Sequence, residues 1–186
     1  MLDREVVRFR RHEATIKRFL QSNPDLIALC HWNANIDNAW FWRDREGELQ
    51  CGLMDWGHVG QMNVSFSLWG CLSSASLEVW DGHLDDLIAL FVEEYREHGG
   101  PALRATDVEL HLQLYVAMMG LSYFIESPSR ILFRLPEAAT ASGPLDPVFR
   151  NSDPARNNLH MMTAFLNFWQ TQDFGASLDR MLKGFL

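Results

Sequence analysis

The stretch His31-Trp32-Asn33-Ala34-Asn35-Ile36-Asp37-Asn38, with residues 39–57 after it, decides how this chain is interpreted. Residues 31–38 hold too many asparagines and aspartates for a helix interior, and such side chains hydrogen-bond to nearby backbone in loops. Segments 39–42 and 49–54 favour strands, and the turn-like Asp44-Arg45-Glu46-Gly47 lies between them. The pattern predicts a polar loop, a short β-hairpin and an aspartate, Asp55, just after the second strand.

Outside this stretch the sequence predicts helices. Apolar residues between Leu84 and Tyr95 recur at helical spacing, and Gly99-Gly100-Pro101 is a typical helix stop. Thr106-Asp107-Val108-Glu109 has the spacing of a capping box and predicts a central helix that continues to Phe124. Four prolines between residues 127 and 153 predict a long surface loop with at most one helical turn. Further helices are predicted at 3–20, 153–171 and 174–183.

Length and charge limit the classes of function. The 186 residues suit a single domain, 1–186, with a loop and hairpin region at 25–72 and a helical remainder at 73–186. The net charge of −8 disfavours a nucleic-acid or membrane-surface partner. Three cysteines without a CxxC pair disfavour a disulfide framework. The longest apolar stretch, 114–125, is too short to cross a bilayer, so we expect a cytoplasmic protein.

The order of these motifs resembles the aminoglycoside phosphotransferase and choline-kinase-like family. The catalytic loop of that family reads His-Gly-Asp-x4-Asn, and here the corresponding residues are His31, Asn33 and Asn38. The family's metal-binding segment reads Ile-Asp-Trp or similar, and here it is Met54-Asp55-Trp56. The likeness covers residues 25–72. It implies a mainly α (α+β) fold, a protein-kinase-like C-terminal lobe in which one small β-hairpin carries the catalytic and metal-binding loops.

The resemblance also implies roles for single residues. Asp55 would be the main Mg²⁺ ligand and Asn38 the second, because Mg²⁺ prefers carboxylate and carbonyl oxygens. His31 would brace the loop. Asn33 stands where the family has its catalytic aspartate, and an amide cannot accept a proton at neutral pH. Downstream, where the family often has aspartates, this chain has Asn63 and Ser67.

Mg²⁺ and ATP are the cofactors that the resemblance implies. The chain has no GxGxxG or GxxxxGK motif, and the residues before His31 are predicted to be helical. We therefore expect the N-terminal ATP-binding lobe to be absent, with no identifiable nucleotide-binding residue. The predicted activity is ATP-dependent phosphorylation of a small-molecule hydroxyl, impaired or absent in this chain. The alternative is a non-enzymatic, pseudokinase-type interaction module that forms a homodimer or meets its missing lobe in trans.

Each candidate residue also has a purely structural interpretation. Asn33, Asn35 and Asn38 would serve equally well as Asx-turn residues, and Asp55 as the cap of a following turn. Four tryptophans, Trp32, Trp40, Trp42 and Trp56, surround the motif. They could form a cage for a cationic ligand, but their size favours core packing.

Overall fold

The computed structural model describes residues 2–185. Helices make up 69% of the structure and strands 11%, so the fold is mainly helical, as predicted. Four strands lie near the beginning of the chain: β1 (Ile27–His31), β2 (Ala39–Arg43), β3 (Leu49–Leu53) and β4 (Val59–Asn63). The eight helices are α1 (Leu2–Ser22), α2 (Val64–Leu72), α3 (Leu77–Gly82), α4 (Leu84–Glu97), α5 (Ala105–Ser122), α6 (Ser127–Arg134), α7 (Asp153–Thr171) and α8 (Phe174–Phe185).

Helix α5 is the centre of the core, and α1, α2, α4, α7 and α8 pack around it. Its side chains are buried on most sides, as its nearly continuous apolar sequence predicted. Residues 105–134 are apolar and long enough to resemble a membrane span, but 61% of the window that gives this result is buried inside the fold. Packing at the centre of the bundle therefore accounts for this apolar composition.

The strands form two antiparallel pairs, one nested inside the other. The predicted hairpin is confirmed as β2 and β3, with Ala39 opposite Leu53 and Arg43 opposite Leu49. The prediction of only one pair of strands is wrong, because β1 and β4 also pair. Ile27 lies opposite Asn63 at one end of this pair, and His31 lies opposite Val59 at the other. The whole inner hairpin separates β1 from β4 in the sequence, so no local turn motif predicts their pairing.

Two other predictions need correction. Residues 127–153 do not form a simple loop, because α6 occupies their first turns and buries Ile131 against Phe149 and Ala155. Pro128 lies in the first turn of α6, where a missing backbone N–H costs little. The capping box is also wrong: α5 already begins at Ala105, and Arg104 before it binds both carboxylate oxygens of Asp107.

A buried polar cluster joins the outer strand pair to the helices. The Asn63 amide donates to the Leu20 carbonyl at 2.7 Å and lies 2.8 Å from Nδ1 of His111, while its oxygen accepts from Ser65. Asn63 thereby caps α2 and connects it with the end of α1 and with α5. Nδ1 of His111 is the acceptor in this arrangement. Burial lowers the pKa of His111 to about 4, although Asp107 acts in the opposite direction.

We expect this histidine to destabilise the fold in acid. Between about pH 6.5 and pH 4 the unfolded chain binds a proton at His111 that the folded chain does not. The free energy of unfolding should therefore fall through this window, by up to about 3 kcal/mol, and this contribution should level off below pH 4. Urea unfolding at several pH values measures it. His111→Gln should flatten the dependence, whereas replacement of exposed His83 by Gln should preserve it; equal curves for both variants would contradict the assignment.

Gly70 allows the loop after β1 to lie directly on α2. A Cβ atom at Gly70 would be only 1.6 Å from the backbone oxygen of Trp32 and 2.6 Å from its carbonyl carbon. No side chain fits there without movement of the loop or the helix. The close approach of the two backbones therefore fixes where residues 31–38 lie relative to the helical body.

We predict that Gly70→Ala destabilises the protein by about 2 kcal/mol or more, because overpacking moves a backbone segment. Gly82→Ala is the matched control, since a Cβ at Gly82 meets nothing within 4 Å. Thermal unfolding of the two variants should differ clearly, with Gly82→Ala close to the parent protein. Equal melting temperatures for the two variants would show that the contact between loop and α2 is not limiting.

Candidate functional site

The polar loop between β1 and β2 is ordered by its own side chains. The Asn35 oxygen accepts from the backbone N–H of Asp37 at 3.0 Å and starts the short 3₁₀ turn Ile36–Asn38. The Asn35 amide also donates to the side-chain oxygen of Asn33 at 2.9 Å. The Asx-turn interpretation therefore holds for Asn35. Asn33 and Asn38 also bond within the loop, since the Asn38 amide donates to the Asn33 carbonyl.

His31 joins this loop to the segment before Asp55. Nε2 of the buried ring donates to the Met54 carbonyl at 2.8 Å, because Nδ1 already accepts the Asn33 backbone N–H at 3.3 Å. The ring also packs edge-on against Trp56, with ring centroids 4.9 Å apart. The two hydrogen bonds of His31 therefore fix the loop before β2 relative to the segment that follows β3.

Asn38 and Asp55 lie at the open end of the inner hairpin, the end opposite its turn, where β2 begins and β3 ends. The backbone N–H of Met54 donates to the Asn38 carbonyl at 2.9 Å, which extends the β2–β3 ladder by one step. The Asn38 amide nitrogen donates to the Asn33 carbonyl at 2.8 Å, so the Asn38 side-chain oxygen is the group that remains for a ligand. Asp55 follows Met54 directly and is exposed. The arrangement sets two oxygen donors on adjacent chain segments.

The backbone of Asp55 is unusual. Its φ of 58° and ψ of 54° lie in the left-handed region, and no other non-glycine residue in 2–185 has a positive φ. Aspartate tolerates this region better than most residues, but the conformation still costs on the order of 1 kcal/mol. Such strained positions are enriched at functional sites. The Trp56 indole supports the turn by donating to the Leu53 carbonyl at 3.0 Å.

Asn38 and Asp55 carry an amide oxygen and a carboxylate, the kinds of donor that magnesium accepts. Magnesium is commonly held by one or two protein oxygens, with water and substrate phosphates completing its shell. Asn38 and Asp55 lie on neighbouring segments at the open end of the hairpin, and only Asn38 faces the cavity. Within the described part of the chain, no group of three or more His, Cys, Asp and Glu side chains could hold a metal.

A cavity of about 480 Å³ opens beside the loop. Asn33, Asn38 and Asp37 line one wall, whereas Asp55 is not part of the lining. Helices α2, α5 and α7 and the residues directly after α2 and α5 supply most of the rest, with Trp69, Ser73, Tyr115, Tyr123 and His160 among the lining residues. The lining contains no arginine or lysine, and Asp37 is its one carboxylate. The cavity therefore suits a neutral or cationic hydroxylated molecule better than an anion.

Two cavity residues were not singled out from the sequence. Burial raises the pKa of Tyr115 to about 12, so its hydroxyl stays protonated, and its ring stacks on Phe66 at 3.8 Å. Nε2 of His160 lies 3.1 Å from the Ala75 carbonyl. If Nε2 carries the proton for that bond, Nδ1 is left as an acceptor. Both residues lie on distant helices, so no local motif connects them to the loop.

Of the remaining candidates, Trp32 lines the cavity, whereas Asn63, Ser67 and the other three tryptophans of the motif do not. Asn63 belongs to the buried cluster with His111, and Ser67 is partly buried with a hydroxyl that has no partner within the described residues. The expected core packing of the tryptophans around the motif is wrong, because all four are at least 40% exposed. Trp40 and Trp42 stack on each other on one face of β2, with centroids 6.0 Å apart.

Comparison of the chain with protein families, curated proteins and solved structures gives no significant match in any of the three.

Proposed function

We propose that this chain is a kinase-like phosphotransferase C-terminal lobe, related to the aminoglycoside and choline-type kinases, that has lost most or all of its transfer activity. The observation that carries the proposal is the common origin of Asn38 and Asp55 at the open end of the inner hairpin, connected through Met54. The cavity beside Asn33 gives an acceptor molecule a place next to that end.

The proposal divides the work among the chain's own residues. Asn38 and Asp55 would hold Mg²⁺, which supplies charge neutralisation to phosphate oxygens when it is bound. His31 keeps the loop and the Asp55 segment in register through Met54. Asn33 can orient an acceptor hydroxyl by hydrogen bonding but cannot take its proton. Loss of a general base typically costs about 10²- to 10⁴-fold in rate, which is why we expect impaired transfer.

The described residues do not form a nucleotide-binding lobe. The strands between Ile27 and Asn63 form only two-stranded ladders, and the cavity lining has no cationic side chain for a triphosphate. In this proposal ATP is therefore held mainly outside the cavity by another lobe, and the acceptor occupies the cavity. The acceptor is a small hydroxylated molecule without negative charge.

The test is binding of Mg²⁺-ATP, followed by isothermal titration calorimetry with the purified chain. We expect weak binding that loses at least about tenfold in affinity on Asp55→Ala, because one of two protein ligands to the ion is removed. Asp86→Ala is the matched control, since Asp86 is an exposed carboxylate in the first turn of α4.

Identical heats for the parent and Asp55→Ala would refute the metal-ligand role, and so would an equal loss of affinity on Asp86→Ala. Titration with Mn²⁺ alone, in which the ion broadens the NMR signals of nearby residues, adds a local readout. Broadening should centre on residues 38 and 55.

A second candidate function is a non-enzymatic interaction module, and a separate observation favours it. Large apolar side chains of the inner hairpin and its flanks are exposed, among them Trp32, Ile36, Trp40, Phe41, Trp42, Leu49 and Trp56. Exposed large apolar side chains in this number on one small element are typical of a protein-protein contact. This function would need neither Mg²⁺ nor ATP.

A further inference from the structure

The outer edge of β2 carries unpaired backbone groups. In an antiparallel pair, directly opposed residues alternate between hydrogen-bonded and non-hydrogen-bonded pairs. The bonds from Asp44 N–H to Glu48 and from Met54 N–H to Asn38 fix this alternation at both ends of the hairpin. Ala39, Phe41 and Arg43 are therefore the residues of β2 whose N–H and C=O groups point away from β3. The Ala39 N–H already donates to the Ile36 carbonyl, so the free groups of this edge are the Ala39 carbonyl and both backbone groups of Phe41 and Arg43.

This edge lacks the usual protection against pairing with another strand. Natural edge strands are commonly blunted by lysine, proline, inward-pointing charges or bulges. Segment 39–42 reads Ala-Trp-Phe-Trp and contains none of these residues. Arg43, the one charged residue of β2, lies at its end, where its side chain donates to the Gly47 carbonyl. No third strand joins either two-stranded sheet in residues 2–185. An isolated two-stranded hairpin is only marginally stable in water, and additional strands stabilise it.

The edge is complementary to itself. If two β2 strands pair antiparallel about a twofold axis at Phe41, each Phe41 exchanges two backbone hydrogen bonds with the Phe41 of the other copy. Ala39 then opposes Arg43, and its carbonyl can accept the Arg43 N–H, while its own N–H stays with Ile36. No like charges face each other in this register. Trp40 opposes Trp42 in the intervening non-bonded pair, where side chains approach most closely.

We propose that the protein forms a homodimer through β2, giving a four-stranded sheet in the order β3-β2-β2-β3. Trp40 is 46% exposed, Phe41 51% and Trp42 44% in one copy, so each has surface left to bury. A large aromatic side chain buries about 150–250 Å², so the exposed halves of Trp40, Phe41 and Trp42 offer roughly 600 Å² in two copies. That is about half of what the smallest specific interfaces bury, so backbone pairing along β2 has to supply much of the affinity.

The second edge of the hairpin, on β3, is the less suitable surface. Gly52 in β3 lies under the Trp40 ring, and glycine weakens a strand interior. Glu48 stands directly before β3, and Gln50 and Gly52 occupy the positions across from Trp42 and Trp40. The continuous Trp-Phe-Trp segment therefore gives β2 the greater tendency to self-pair, and pairing at one edge only gives a closed dimer rather than a fibre.

This inference rests on the interaction-module candidate and not on the phosphotransferase proposal. The test is therefore made without Mg²⁺ or nucleotide, in EDTA, so that the two proposals fail separately. A reducing agent is included because Cys51 and Cys71 are exposed free thiols. Sedimentation equilibrium of the full chain at increasing concentration should give a monomer-dimer equilibrium.

Phe41→Pro removes an outward N–H without removing a β2–β3 hydrogen bond, and we expect it to weaken dimerisation at least about 100-fold. Cys51→Pro is the matched control, because Cys51 is opposite Phe41 and its N–H points to the other edge. It should leave the dimer intact. Circular dichroism verifies that both variants keep their helices.

Amide hydrogen exchange on the unmodified protein gives an independent readout should either proline variant lose its hairpin. The amides of Phe41 and Arg43 should become protected as concentration rises, while those of Cys51 and Leu53 should not. A monomer at all concentrations, an equal effect of the two prolines, protection of the β3 edge instead, or open-ended association would each overturn the proposed dimer.

Discussion

The open end of the inner hairpin depends on Met54, whose backbone makes two hydrogen bonds to opposite ends of the preceding loop. Its N–H donates to Asn38 and its carbonyl accepts from His31. Each bond is worth only about 1 kcal/mol net, but leaving any of these buried groups unpaired would cost more. Through them, β1, the polar loop and the left-handed Asp55 are held in one arrangement, and Gly70 sets that arrangement against the helical body.

The sequence predicts those parts of the fold whose information is local. The inner hairpin follows from strand-forming residues on both sides of Asp44–Gly47, and α4, α5 and α7 follow from apolar periodicity or composition. Pairing of β1 with β4 is set by tertiary packing over a long separation, which no turn motif marks. Helix α6 escapes prediction because its proline lies in the first turn, where a helix tolerates it.

The candidate site divides in the same way. His31, Asn33 and Asn38 are found from one short motif, and the structure gives all three definite partners in the loop region. The far wall of the cavity comes from α5 and α7, so Tyr115 and His160 could not be found from spacing. The exposure of the tryptophans also could not be predicted, since size alone favours burial. Here the hairpin projects from the helical core, which leaves both of its faces partly open to solvent.

The central claim is that the side-chain oxygens of Asn38 and Asp55 face one ion. A crystal of the protein soaked in Mn²⁺ and measured for anomalous scattering tests this most directly. The account predicts a single strong peak within about 2.1–2.4 Å of both the Asn38 side-chain oxygen and the Asp55 carboxylate. A peak at other residues, or side chains of Asn38 and Asp55 directed to different sides of the hairpin, would contradict it.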